Sequence, residues 1–114
     1  MSKDKVLSML GMAKRAGCVQ SGAFLCEKAI KSRVARLVIL AEDSSPKSKK
    51  SITDACRFYR VQYIEYGNME QLGQFTGSDY RAVVSVTDQN FAQAILQKYA
   101  DAQERNGECE WKQK

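Results

Sequence analysis

The sequence predicts an α/β fold, a three-layer α/β/α sandwich around a central four-stranded mixed sheet. Two observations carry that reading. Segments with an apolar residue at every third or fourth position alternate with short runs rich in β-branched residues. Such alternation marks helices stacked on a sheet. The runs at 37–41 and 82–86 are apolar almost throughout, which suits strands covered on both faces. The chain's 114 residues make one domain of ordinary size. Residues 1–100 are expected to form it, followed by a polar C-terminal tail at 101–114.

Each element follows from local pattern. Val6, Met9, Leu10 and Ala13 line one face of a helix from about residue 3 to Ala16. Gly17 ends it, as glycine does in the left-handed position. Cys18-Val19-Gln20 reads as a short strand. Ser21-Gly22 opens a second helix to about Ser32, with Ser21 the expected N-cap. Leu37 to Ala41 is the second strand. Ser44-Ser45-Pro46 starts a third helix, a serine cap followed by proline in the first turn. Its core face is Ile52, Ala55, Cys56 and Tyr59, with Lys47, Lys50, Asp54 and Arg57 opposite. Val61 to Tyr66 is the third strand. Asn68 and Gln71 form a capping box on a short helix that Gly77 closes. Ala82 to Val86 is the fourth strand. Thr87-Asp88 caps a last helix that buries Ala92, Ile95, Leu96 and Tyr99. From Asp101 the chain is polar and aperiodic, either a fraying end of that helix or a disordered tail.

Composition narrows the chemistry. Histidine is absent, which excludes a Ser-His-Asp triad and any histidine-ligated zinc. No two of Cys18, Cys26, Cys56 and Cys109 have the spacing of a zinc ribbon or a redox dithiol, and Cys26 and Cys56 fall on apolar helix faces. They read as buried reduced thiols. No glycine pair has dinucleotide-fingerprint spacing, and no P-loop occurs. Glu42-Asp43 stands just before a helix start, where carboxylates favour the helix dipole; a metal role is the weaker reading. No cofactor, metal or small-molecule substrate is expected. No apolar run is long enough to cross a membrane, and the chain is expected in the cytoplasm.

Charge is unevenly spread. Residues 1–60 carry 13 Lys/Arg against 5 Asp/Glu, a net +8, while residues 61–114 carry a net −3. A basic half points to a polyanionic partner, RNA or DNA. Phe24, Lys28 and Lys31 align at i, i+4, i+7 on the second helix, opposite Leu25, Cys26, Ala29 and Ile30. Phe24 lies in the first turn, where free N–H groups favour anions. Its ring either stacks on a partner or folds back on a neighbouring loop. In Gly77-Ser78-Asp79-Tyr80-Arg81, Tyr80 and Arg81 suit a base and a phosphate, or Tyr80 begins the strand and packs inward.

The residues at 22–30, Gly-Ala-Phe-Leu-Cys-Glu-Lys-Ala-Ile, and at 34–43, Val-Ala-Arg-Leu-Val-Ile-Leu-Ala-Glu-Asp, carry a resemblance. Leu72-Gly73, Gly77, the strand Ala82 to Val86 and the opening Leu10-Gly11-Met12-Ala13-Lys14-Arg15-Ala16-Gly17 extend it over about residues 5–97. The chain resembles the kink-turn RNA-binding ribosomal protein family, its small bacterial members most of all. The resemblance implies a non-catalytic α/β/α protein that binds a sharply bent RNA internal loop and is associated with the ribosome. In that family the reader helix begins Gly-Thr-Asn-Glu, with a lysine four residues after the asparagine. Here Gly22 and Lys28 match, while Ala23, Phe24 and Leu25 stand in place of Thr, Asn and Glu. The family's second contact loop falls at Ser78-Asp79-Tyr80.

The expected RNA contacts are therefore Gly22, Ala23, Phe24, Leu25, Lys28, Ser78, Asp79, Tyr80 and Arg81, with Lys14, Arg15, Lys31, Arg33 and Arg36 adding attraction. The alternative is a protein-interaction or self-association module on the same fold, anchored by Phe24 and Leu25.

Overall fold

Helices and strands alternate as α1 (Lys5–Arg15), β1 (Val19–Ser21), α2 (Ala23–Lys31), β2 (Leu37–Leu40), α3 (Pro46–Tyr59), β3 (Gln62–Glu65), α4 (Met69–Phe75), β4 (Val83–Val86) and α5 (Gln89–Gly107). This computed structural model describes residues 5–107, with side chains to residue 101. Cys109, the tail beyond Gly107 and a first-helix start at residue 3 lie outside the described residues. The expected element order holds throughout. The last helix continues past Asp101 to Gly107, so the boundary expected at residue 100 is not an end of secondary structure.

The strand order is β1-β4-β2-β3, and the sheet is mixed as expected. β4 lies antiparallel to both β1 and β2, whereas β2 and β3 run parallel. Parallel pairing follows from the α3 crossover between β2 and β3. The two edges resist further pairing: β1 is three residues long, and β3 turns Gln62 and Glu65 to solvent.

Two apolar cores sandwich the sheet. Leu37, Ile39, Val84 and Val86 face Val6, Leu7, Leu10, Ala13, Leu72, Ala92 and Ile95 of α1, α4 and α5. Val38, Leu40 and Val83 face Cys26, Ala29, Ile30, Ile52 and Cys56 of α2 and α3. Every residue of β2 and β4 is buried, because each alternate side chain enters one core or the other.

Caps set most of the helix boundaries. The Ser45 hydroxyl accepts from the Ser48 N–H at 3.2 Å, with Pro46 in the first turn. Asn68 and Gln71 close the capping box on α4. Asp88 accepts from the Phe91 N–H at 3.0 Å at the start of α5. Two expectations are corrected. The N-cap of α2 is Gly22, not Ser21, because Ser21 is held in β1 against Val84. Asp43 does not serve the helix that follows it. Its carboxylate accepts from the Met69 N–H of α4 at 2.8 Å, across 26 residues of sequence.

Candidate nucleic-acid interface

Gly22 is the junction between β1 and α2. Its φ of 96° and ψ of 151° fall in a region that essentially only glycine occupies. That conformation lets the chain turn from strand to helix in one residue. Its N–H donates to the Val83 carbonyl at 3.0 Å, and its carbonyl accepts from the Cys26 N–H at 3.0 Å. No side chain caps this helix start. The first-turn N–H groups therefore remain available to an anion, and the helix dipole favours one there.

The same hydrogen bond ties the helix start to the segment that enters β4. Ala82 is bound through its carbonyl to the Ala41 N–H at 2.9 Å, and the Arg81 N–H donates to Met69 at 3.0 Å. The C-terminal ends of β1 and β2 and the N-terminal end of β4 thus share one edge of the sheet. Gly22 to Leu25 leave β1 and Ser78 to Arg81 lead into β4 at this same end of the sheet, two groups some 55 residues apart in sequence.

Phe24 is 76% exposed and Tyr80 63% exposed. Neither ring packs inward, so the inward readings fail and both rings are left open to solvent. Phe24 lines an open groove with Glu27, Lys28, Lys31 and Ser32, which keeps the aligned lysines beside the ring. Such an arrangement offers a flat apolar face next to two mobile positive charges. It suits a planar ring attached to an anionic chain. Carboxylates stand at this edge as well: Glu42, Asp43 and Asp79 are exposed, although Asp43 is engaged by Met69.

Leu25 was placed by its spacing with the core residues of α2. It is 43% exposed and lines a second groove with Gln20, Lys28, Ala29, Ser32 and Val34. The reason is position: β1 is an edge strand, so the outer flank of α2 has no further strand beneath it. Arg81 is half-buried, and its Nε is enclosed without an acceptor. Its charge lies close enough to Cys26 to act on the thiol.

Other basic residues stand elsewhere. Lys14 and Arg15 end α1 and line a groove with Met12, Gln74, Phe75 and Gly77 on the opposite face of the sheet. Arg33 and Arg36 lie beyond the C-terminus of α2, roughly 13 Å of helix away from Gly22. They do not join the first-turn residues.

The cysteines offer no nucleophile here. Burial pushes the Cys26 thiol up to about 12, outweighing the pull of the Ser85 hydroxyl and the Arg81 charge. Burial raises Cys56 to about 11. Among the described residues no group of three or more His, Cys, Asp or Glu side chains is placed to hold a metal ion.

Sequence spacing missed one exposed residue of consequence. Phe58 is 77% exposed, the most open large apolar side chain described. It lies off the Ile52, Ala55, Cys56, Tyr59 stripe of α3, and that displacement was a signal available in the sequence.

Comparison with known proteins agrees with this architecture. The chain is 41% identical over 96 residues to the RNA-binding protein YlxQ of Bacillus subtilis (strain 168), covering 84% of this chain and 96% of that one. It is 30% identical over 91 residues to the RNA-binding protein YlxQ of Enterococcus faecium, covering 80% and 87%. A solved structure of a protein with unknown function from Bacillus halodurans C superposes with a TM-score of 0.82 at 32% identity, over 86% of this chain and 99% of that one. The Giardia lamblia 15.5kD RNA binding protein shares the fold, with a TM-score of 0.74 at 20% identity over 85% and 83% of the two chains. Residues 4–96 match the model of the ribosomal protein L7Ae/L30e/S12e/Gadd45 family. The match spans every strand and both groups of residues at the shared sheet edge, and the chain belongs to that family.

Proposed function

We propose that this chain is a non-catalytic RNA-binding protein that grips a sharply bent, kink-turn-like internal loop. The first turn of α2 and the 78–81 segment form the binding edge. One observation supports the reading: the Gly22 N–H donates to the carbonyl of Val83, two residues beyond Arg81, and Phe24 and Tyr80 are both exposed. The naming of two bacterial relatives as RNA-binding proteins supports it.

The mode of recognition follows from what stands in the first turn. Ala23, Phe24 and Leu25 have no polar side-chain atoms, so they make no hydrogen bonds to base edges. Backbone N–H groups would meet a phosphate, and Lys28 and Lys31 would neutralise the flanking strand. Phe24 and Tyr80 would cover bases turned out of the bend. Such a surface reads RNA shape and unstacked bases more than base identity. A ribosomal RNA segment with such a bend is the natural partner class.

The test is a filter-binding titration against a kink-turn RNA and the same stem with its G·A pairs replaced by Watson–Crick pairs. Selective binding to the bent RNA, lost in Lys28→Glu/Lys31→Glu protein that still melts cooperatively, is the expected result. Equal affinity for both stems removes the shape reading. Unchanged affinity in the double variant removes the site.

A second reading rests on the Leu25–Val34 groove, whose apolar lining would accept a protein side chain. Self-association in sedimentation, abolished by Leu25→Asp, would favour it.

A further inference from the structure

We infer a second RNA surface at the opposite end of the sheet, built from arginines and one exposed phenylalanine ring, that takes unpaired nucleotides. It lies outside the α2 first-turn edge and does not depend on that reading.

Topology assembles it. Helices α2 and α3 both run away from the first edge, so their C-termini arrive together at the far one. Arg33 follows α2 with a left-handed φ of 65°, and Arg60 caps α3 with a φ of 60°. Register then fixes the remaining neighbours. Leu37 pairs with Gln62 in the parallel β2–β3 ladder, so Arg36 and Arg60 precede adjacent strands at the same edge. Arg57 stands in the last turn of α3. All four arginines are exposed.

The rings form a continuous path. The Arg33 guanidinium lies 5.8 Å over the Tyr59 ring, and the Phe58 ring meets Tyr59 edge-on at 4.9 Å. Tyr59 is half-buried and anchors the path, while Phe58 at its end is 77% exposed.

Basic residues near helix C-termini also complement the helix dipoles, which accounts for part of the charge. It does not account for an open phenylalanine among them. Among the described residues none of these arginines has a carboxylate partner, and the Arg33 guanidinium engages only the Tyr59 ring. The ion pairs among the described residues are Lys49–Glu65 and Lys50–Asp54, so Asp54, the carboxylate one turn before Arg57 and Phe58, is already paired. Guanidinium groups without a carboxylate partner among the described residues, beside a solvent-facing ring, match phosphates alternating with bases. Such stacking tolerates any base, and the arginines supply the positive charge that tracks the backbone. An acidic peptide would satisfy the charge but leave the ring without a π partner.

The test uses full-length protein and a fluorescein-labelled oligoadenylate of about a dozen nucleotides, within the ~4–16 nucleotides such platforms cover. Fluorescence anisotropy should show salt-dependent binding. Phe58→Ala should weaken it at least about fivefold, Phe58→Trp should preserve it, and Phe58→Leu should not. Arg57→Gln should weaken it and flatten its salt dependence. Phe58 is on the surface, so these variants should melt like the parent protein. Absence of oligoadenylate binding overturns the proposal, as does binding indifferent to Phe58→Ala. Full affinity in Phe58→Leu overturns the stacking platform. Polyglutamate that binds in place of oligoadenylate, with the same dependence on Arg57, reassigns the surface to an acidic protein. Because oligoadenylate has no bend, failure here leaves the kink-turn titration to stand or fall alone.

Discussion

The Cα of Gly73 lies so close to Asp79 that a β-carbon there would sit 2.5 Å from the Asp79 carbonyl oxygen. The Ser78 N–H donates to the Gly73 carbonyl at 2.7 Å, so the 78–81 segment rests on α4 as backbone on backbone. No flexible side chain lies between them to yield. Gly73→Ala must lift the segment, at a cost of about 1–3 kcal/mol. Urea melts should show that loss, and amide shifts in the variant should move at 78–81.

Gly22→Ala tests a different kind of constraint. Nothing lies within 4 Å of a β-carbon built at Gly22, so the substitution meets no clash. Its cost is the backbone conformation alone, about 1–3 kcal/mol. A parent-like melting temperature would show that the turn relaxes without loss.

Asp43→Ala should destabilise the fold by about 1 kcal/mol, the usual worth of an N-terminal helix acceptor. The carboxylate serves the Met69 N–H, so the loss should appear as faster hydrogen exchange at the start of α4 rather than α3. Exchange changes confined to 46–49 would contradict the assignment.

Cys26 and Cys56 set an alkaline limit. Burial holds both thiols protonated above the ordinary value of 9.0, Cys26 to about 12 and Cys56 to about 11. Above pH 9 the unfolded chain releases protons that the folded chain keeps. Stability is therefore full below pH 9 and declines as pH rises toward 11–12, with a slope of about 1.4 kcal/mol per pH unit for each retained proton. Urea melts between pH 8 and 10.5 would reveal the decline. At pH 8 a thiol reagent should spare both residues in the native protein and reach the half-exposed Cys18.

Lys28→Ala and Lys31→Ala should each lower the slope of log affinity against log salt for kink-turn RNA by roughly 0.7–0.9. A fall in affinity with an unchanged slope would mean that the lysines act through packing instead of charge.

The fold was legible because each element stated itself locally. The apolar stripe of α1, the Asn68–Gln71 box and the two fully apolar strands needed no partner to be read. The site was only half legible. Phe24, Lys28 and Lys31 share a helix face by spacing alone, but that Tyr80 lies toward the same end of the sheet depends on β4 pairing beside β1, a long-range choice. Ser21 looked like the cap because Ser outranks Gly at that position, yet strand pairing claimed it first. Asp43 was misassigned for a similar reason, since its partner Met69 lies 26 residues on. Arg33 and Arg36 looked like an extension of the first-turn charge. The length of α2 instead carries them to the other end of the molecule.

The placement of β4 has a consequence for the order in which the protein is built. β1 pairs with β4 alone, Val19 with Val86 and Ser21 with Val84. During synthesis the N-terminal strand therefore waits for some 65 more residues before it has a neighbour. Until then Gly22 lacks the Val83 carbonyl that orients the head of α2. A nascent chain can assemble β2, α3 and β3 early, but the end of the sheet that carries Gly22 is completed only when β4 slides between β1 and β2. Partial products released before Val86 would carry most of the basic charge without the β1–β4 pairing that orients the head of α2.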